Sequence, residues 1–337
     1  MKLIERRRAE RKPAQISIRA LSFSFIRTKE FPVLLGLLVV SAIFALTTEA
    51  FLTSFNIFQL MRQMAVLAVI AAGMTYVIAA GEIDISVGST YNLSANVMAL
   101  LIASSDWSPW VALVAALVVG TLAGTLNGLL SVLLKLPTLI VTLGTISLYR
   151  GLTVVLSNGL SVGNLPPDSF YNIGSERIGA VPQMALIALA IIALAALAFR
   201  HTVFARELLA IGSNSEAARR VGIRVNLRKI QVMALLGLMC GAGAALGIAY
   251  LRSASPQSGT GFELLAIAAV VIGGTPLQGG VGTVWGTLIG IALIMVIQNG
   301  LILLGIPSVW QIATTGLMIL GAVAVQQFVR KMTGPTA

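Results

Sequence analysis

Charge, histidine and cysteine are all scarce in this chain of 337 residues. Only 10% of positions are Asp, Glu, Lys or Arg, against about 25% in an ordinary soluble domain. A soluble globule with so few charges could not cover its own surface, which excludes a soluble enzyme and a disordered chain. The single cysteine, Cys240, excludes a disulfide framework. With one histidine, His201, neither a Cys/His metal site nor a Ser-His-Asp triad has support. No metal ligand set is expected. The phosphate-cradling pattern GxxxxGK[ST] is absent, so any ATP that drives this chain must be bound by another polypeptide.

What the sequence has instead is apolar length: 57% of it is hydrophobic and the mean hydropathy is +0.93. The apolar runs are long and do not alternate with polar residues, as the strands of a membrane barrel would. The expected fold class is all-α, a polytopic bundle of membrane helices. The net charge of +11 would suggest nucleic acid in a soluble protein. Here the basic residues cluster in residues 1–30, in 200–229 and at segment ends such as Lys135, Arg330 and Lys331. Only Arg62, Arg150, Arg177 and Arg252 lie elsewhere. That distribution is the positive-inside pattern, with headgroup contact and no nucleic-acid partner.

About ten spans are expected, at 31–48, 64–80, 87–103, 110–134, 137–157, 181–199, 230–251, 263–274, 284–304 and 308–329. Residues 54–63 read as a separate amphipathic interfacial helix. An even count places the segment 1–30, Lys135, the loop 200–229 and the tail 331–337 on one basic, cytoplasmic side. Residues 31–330 then form one transmembrane domain, the first span uncleaved.

Broken or re-entrant helices are expected near 81–89 (GEIDISVGS) and 273–283, where VIAAG at 77–81 aligns with VIGGT at 271–275. The ladders Gly120/Gly124/Gly128, Gly282/Gly286/Gly290 and Gly243/Gly247 predict close helix packing. Carboxylates at membrane depth are functional by default, so Glu82 and Asp84 are candidates for a translocation path. The alternative is that they cap the third helix. Asn92, Asn96, Asn127, Thr142 and Asn299 are further candidates, with interhelical hydrogen bonding as the plainer reading. Thr145 and Gln298 raise the same alternatives, Arg150 reads as a pairing or snorkelling cation, and Glu263 reads as interfacial.

The basic loop contains a short helix over 214–221. Ser213 and Glu216 have capping-box spacing, Ala217 and Ala218 favour helix, and Gly222 is a natural stop. EAARRVG at 216–222 resembles the EAA signature of permease subunits in ATP-binding cassette importers. NGLL at 127–130, LPTLIVTLGT at 136–145, YRG at 149–151, GFELLAIAAVVIGGT at 261–275, GGVGT at 279–283 and NGL at 299–301 extend the likeness. Together with GEIDISVGS they resemble the ribose/xylose/arabinose-type permease family over residues 55–325.

The resemblance implies a bacterial inner-membrane permease for a monosaccharide or polyol. Asn214, Glu216, Ala217, Ala218 and Gly222 would couple it to two ATPase subunits that bind ATP and Mg. It further implies a periplasmic or lipid-anchored sugar-binding protein, a second permease copy or paralogue, and surrounding lipid as partners, with no cofactor on this chain. Two departures stand before the docking helix, where the family often has Gly-Arg and an aromatic: this chain has Ala205-Arg206 and Leu208-Leu209. Alternatives are a proton-coupled secondary transporter, or an importer of the same superfamily for a furanosyl signalling molecule or branched-chain amino acids.

Overall fold

A computed structural model describes residues 30–307, 309, 310, 313–318, 320, 321 and 324. The basic segment 1–29, the tail 331–337 and much of the expected last span fall outside the described residues.

Helix α1 is Phe31–Thr47, with a proline in its first turn where the missing N–H costs nothing. Helix α2, Ser54–Ala79, starts at Thr53, whose hydroxyl accepts from the Asn56 N–H. It is one continuous helix of 26 residues. The separate interfacial helix expected at 54–63 is therefore the first part of α2, because no Gly or Pro interrupts the chain at Gln63-Met64. From Ala65 to Ala79 every residue of α2 is buried, so this helix runs through the centre of the bundle.

Helices α3 (Val87–Ser105), α4 (Pro109–Leu133) and α5 (Thr138–Leu156) follow. The loop after α5 carries a single 3₁₀ turn, a short α6 (Asn172–Ser175) and a two-stranded ribbon, β1 (Arg177–Ile178) and β2 (Val181–Pro182). The strands are antiparallel, with Arg177 opposite Pro182. Helix α7 is Gln183–His201.

The segment expected as a basic loop is mostly helical. It comprises α8 (Val203–Ser213) and α9 (Ser215–Arg220), and α10 (Val225–Leu251) already begins within it. Half-length α11 is Phe262–Ile272, and α12 is Val284–Leu303.

Among the described residues six helices are long and apolar enough to cross a membrane: α2, α4, α5, α7, α10 and α12. The other expected spans miss that standard for identifiable reasons. Helix α1 has 17 residues and α11 has 11. Helix α3 carries Asn92, Ser94 and Asn96. Beyond Pro307, helical backbone is described only at Trp310, 313–318, 320, 321 and 324.

The glycine ladder on α4 works as expected, against partners on α10. A Cβ on Gly120 would overlap the Gly237 carbonyl, one on Gly124 the Met233 carbonyl, and one on Gly241 would lie 2.5 Å from the Ala116 carbonyl. The two helices run antiparallel, backbone against backbone. Gly243 instead faces Ile70 on α2, and Gly247 faces Tyr91 on α3. Gly282 precedes α12, while Gly286 and Gly290 pack on the Gly273 and Ala269 backbones.

Three of the four outlying arginines are engaged at the loop end of the bundle. Arg62 donates to the Ser175 carbonyl at 2.9 Å and lies over Tyr250. Arg177 covers Phe58, and Arg252 covers Tyr171. Burial, with Asp168 nearby, pushes the Tyr171 phenol above its ordinary range, and Arg252 opposes this.

Candidate functional site

Both helix breaks are built by the same backbone device. At the end of α2, the Gly81 N–H donates to Ile78 O and the Glu82 N–H to Val77 O, with Gly81 at φ +76°. At the end of α11, Gly274 donates to Val271 O and Thr275 to Val270 O, with Gly274 at φ +96°. Each is a Schellman turn, which needs a left-handed residue after the cap. The structural register thus pairs Gly81 with Gly274, one residue away from the sequence alignment of Gly81 with Thr275.

After the first turn residues 82–86 carry no regular secondary structure. Asp84 is buried there. Its Oδ1 accepts from the Ser86 N–H at 2.7 Å and the Ser86 hydroxyl at 2.6 Å. Its Oδ2 accepts from the Asn127 amide at 3.2 Å, and that amide also donates to Ser86 Oγ at 2.8 Å. The Tyr149 hydroxyl donates to Asn127 Oδ1 at 2.8 Å. Thr142 Oγ1 accepts from the Ile85 N–H at 3.4 Å. Asp84 therefore folds the insert on itself and ties it to α4, and no side-chain bond from Ser86 caps α3.

Glu82 points elsewhere. Its Oε1 stands 2.9 Å from Lys229 Nζ at the start of α10, and its carboxylate accepts from the Thr138 hydroxyl at the start of α5.

The remaining candidates are distributed along the bundle. Asn92 donates to the Pro256 carbonyl, and Asn96 donates to Asn92 and to the Ser255 carbonyl. Both hold the 252–261 loop onto α3. Asn299 exchanges amide hydrogen bonds with Asn56, at 2.8 and 2.9 Å, near the opposite end from Glu82. Glu263 turns inward: one oxygen accepts from the Gly261 N–H, and the other is buried beside Gly88 without a partner among the described residues. Thr145 is buried and donates to the Thr142 carbonyl, and Gln298 donates to Thr315. Among the described residues no acid, Cys or His cluster could hold a metal.

Sequence reasoning missed Thr138, Tyr149, Lys229 and Asn56, and took Ser86 only as a possible cap of the third helix. Tyr149 and Thr138 lie inside the family-like motifs, and Asn56 is a lone amide in a segment whose sequence reads as an interfacial helix. A cavity of about 540 Å³ walled by Arg62, Tyr91, Tyr250, Phe262 and Gln298 had no sequence signal.

At the end marked by Glu82 and Lys229, Asn214 caps α9: its Oδ1 accepts from the Ala217 N–H at 2.9 Å. The expected Ser213 cap is corrected, because Ser213 still belongs to α8 and donates back to Leu209 O. Gly222, at φ +90°, closes α9 with a third Schellman turn. Only Ala218 of α9 is buried; Glu216, Ala217, Arg219 and Arg220 are exposed, and Val221 is 77% exposed. By contrast α8 is anchored by buried Ala205, Leu208 and Ile211, and by the Glu207–Arg228 ion pair to α10. The departures at Ala205 and Leu208 thus fall on the buried side of α8, away from the exposed face of α9.

A bundle with these spanning helices, broken at two glycine turns, makes the chain a multi-pass membrane protein. A family model described as branched-chain amino acid transport system / permease component matches residues 56–323, and the chain belongs to that family. It is 39% identical to the ribose import permease protein RbsC of Bacillus subtilis (strain 168), over 86% of this chain and 90% of that protein. It is also 39% identical to RbsC of Escherichia coli (strain K12), over 87% and 92%. Identity is 32% to the L-arabinose transport system permease protein AraH of Escherichia coli (strain K12), over 88% and 91%. No solved structure matches.

Proposed function

We propose that this chain is the membrane subunit of an ATP-binding cassette importer for a monosaccharide or related polyol. The observation that carries the reading is α9. It is a short capped helix at the end rich in arginine, with all but one residue exposed and with apolar Val221 at its tip. A partner in water would cover that face, and Asn214, Glu216, Ala217 and Gly222 are the residues assigned to meet an ATPase that binds ATP and Mg. The ribose and arabinose permeases named above favour a sugar over the branched-chain amino acids in the family's description.

In this reading the chain crosses the bacterial inner membrane ten times, with both termini, α8 and α9 in the cytoplasm. A second permease copy or paralogue completes the path, and a binding protein outside delivers the sugar. The hydrogen-bonded state of Asp84 and the ion pair of Glu82 weigh against these two acids as the cycling group of a proton-driven transporter, and that alternative is left with Glu263, one of whose oxygens is buried without a partner among the described residues.

Glu216→Lys tests the assignment. The Glu216–Arg220 pair is exposed on both sides, so its loss costs the fold only about 0.3–0.5 kcal/mol. The expected result is normal membrane insertion with loss of co-purifying ATPase. Retained ATPase and retained uptake would overturn the docking role. Calorimetry of the cognate binding protein against a sugar and polyol panel tests the substrate class, and failure of every member to bind would sink it.

A further inference from the structure

Three backbones converge directly beneath the docking helix. The Gly280 N–H donates to Ala79 O at 2.9 Å. A Cβ on Gly279 would stand 2.6 Å from the Gly81 nitrogen, and one on Gly280 would stand 2.6 Å from Ser213 Oγ. One on Gly212 would overlap the Ala79 carbonyl. The end of α2, the second insert and the end of α8 therefore touch through backbone and the short Ser213 side chain, with no long side chain between them. Asn214 closes α8 and caps α9 at once, so the docking helix is joined to this junction without a linker.

Glu82 is the first residue beyond Gly81. Its carboxylate holds Lys229 in the second turn of α10 and Thr138 at the first position of α5. The Glu82 and Lys229 side chains are 21% and 17% exposed, so removing one partner leaves a poorly solvated charge behind. Both line a cavity of about 520 Å³ that reaches Asn214, Ser215 and Arg219. A displacement of α9 thus meets the glycine junction first and the Glu82 bridge next, and the bridge leads into α5 and α10.

We infer that Glu82 is a positioning residue that transmits displacement of the docking helix to α5 and α10, and that it does not contact the transported molecule. This rests on the permease reading above. The test uses the full chain reconstituted in proteoliposomes with its ATPase and binding protein, with ATP hydrolysis and uptake of radiolabelled pentoses and hexoses measured together.

Glu82→Gln is expected to lower sugar imported per ATP hydrolysed by roughly tenfold, inside the 5–150-fold range that coupling between sites spans. The KM for sugar should not move. The exchange Glu82→Lys with Lys229→Glu should recover most of the ratio, because the ion pair is rebuilt with its sign reversed. An unchanged ratio in Glu82→Gln, or a change confined to KM, overturns the inference. Should Glu82→Gln fail to insert, Lys229→Gln is read by the same ratio and decides in the same way. Absence of ATP-dependent uptake in the unaltered complex would instead overturn the permease reading itself.

Discussion

The Asn127 amide stands 3.2 Å from Asp84 Oδ2, so a residue of α4 closes a turn in the insert between α2 and α3. Every group that faces the Asp84 carboxylate is a donor: the Ser86 N–H, the Ser86 hydroxyl and the Asn127 amide. Asn127 is held in this orientation by Ser86 Oγ, which accepts from the same amide at 2.8 Å while its own proton goes to Asp84.

Asp84→Asn is therefore expected to be more damaging than its size suggests. The new amide hydrogens must face either Ser86 or Asn127, and one buried donor loses its acceptor at a cost of about 1–3 kcal/mol. Thermal unfolding in detergent should show a lower midpoint for Asp84→Asn than for Asn127→Ala, which removes one donor to Asp84, leaves Ser86 bound and leaves the Tyr149 hydroxyl the Ala123 carbonyl at 2.8 Å to donate to. Equal midpoints would refute the all-donor description.

Gly212 and Gly222 separate two reasons for having glycine. At Gly212 a methyl group would overlap the Ala79 carbonyl, so Gly212→Ala must push α8 away from α2. At Gly222 the surrounding space is open but φ is +90°, and Gly222→Ala should cost about 1–2 kcal/mol for the left-handed backbone. Uptake should fall severely in Gly212→Ala and mildly in Gly222→Ala. The reverse order would mean that the junction tolerates movement.

The Asn56–Asn299 pair tests whether a buried amide lines a path or ties helices. As a tie, Asn299→Leu should lower thermal stability by about 0.6 to 1.7 kcal/mol, the range found for side-chain hydrogen bonds between membrane helices. The KM for uptake should stay unchanged. A raised KM with unaltered stability would return Asn299 to the path.

Much of the architecture was legible because lipid imposes a simple rule on sequence. The boundaries of α4, α5 and α12 follow from long, mainly apolar runs that end at Lys135, Ser157 and Leu304. The helix breaks were legible too, since GEIDIS and GGTPLQGG cannot continue a helix in hydrocarbon. The division of α2 was misjudged because polar Gln59, Arg62 and Gln63 mark its outer part. Arg62 is in fact held by Ser175, more than a hundred residues away in sequence. The candidate site was legible as residue types and illegible as a grouping. Glu82 and Asp84 are two residues apart, yet the irregular chain between α2 and α3 sends one to Lys229 and the other to Asn127. Only the positions of α4 and α10 decide that.

The contact between α4 and α10 has a mechanical consequence. Side chains that interdigitate can change rotamer and let two helices slide by small steps. Here glycines place carbonyls against Cα atoms at Gly120, Gly124, Gly237 and Gly241, and peptide groups have no rotamers to change. The two helices form a strut where residues 116–128 meet residues 230–241. Opening and closing of this protein is expected to pivot around that strut, and a pair of distance labels placed across it should read the same value with and without ATP.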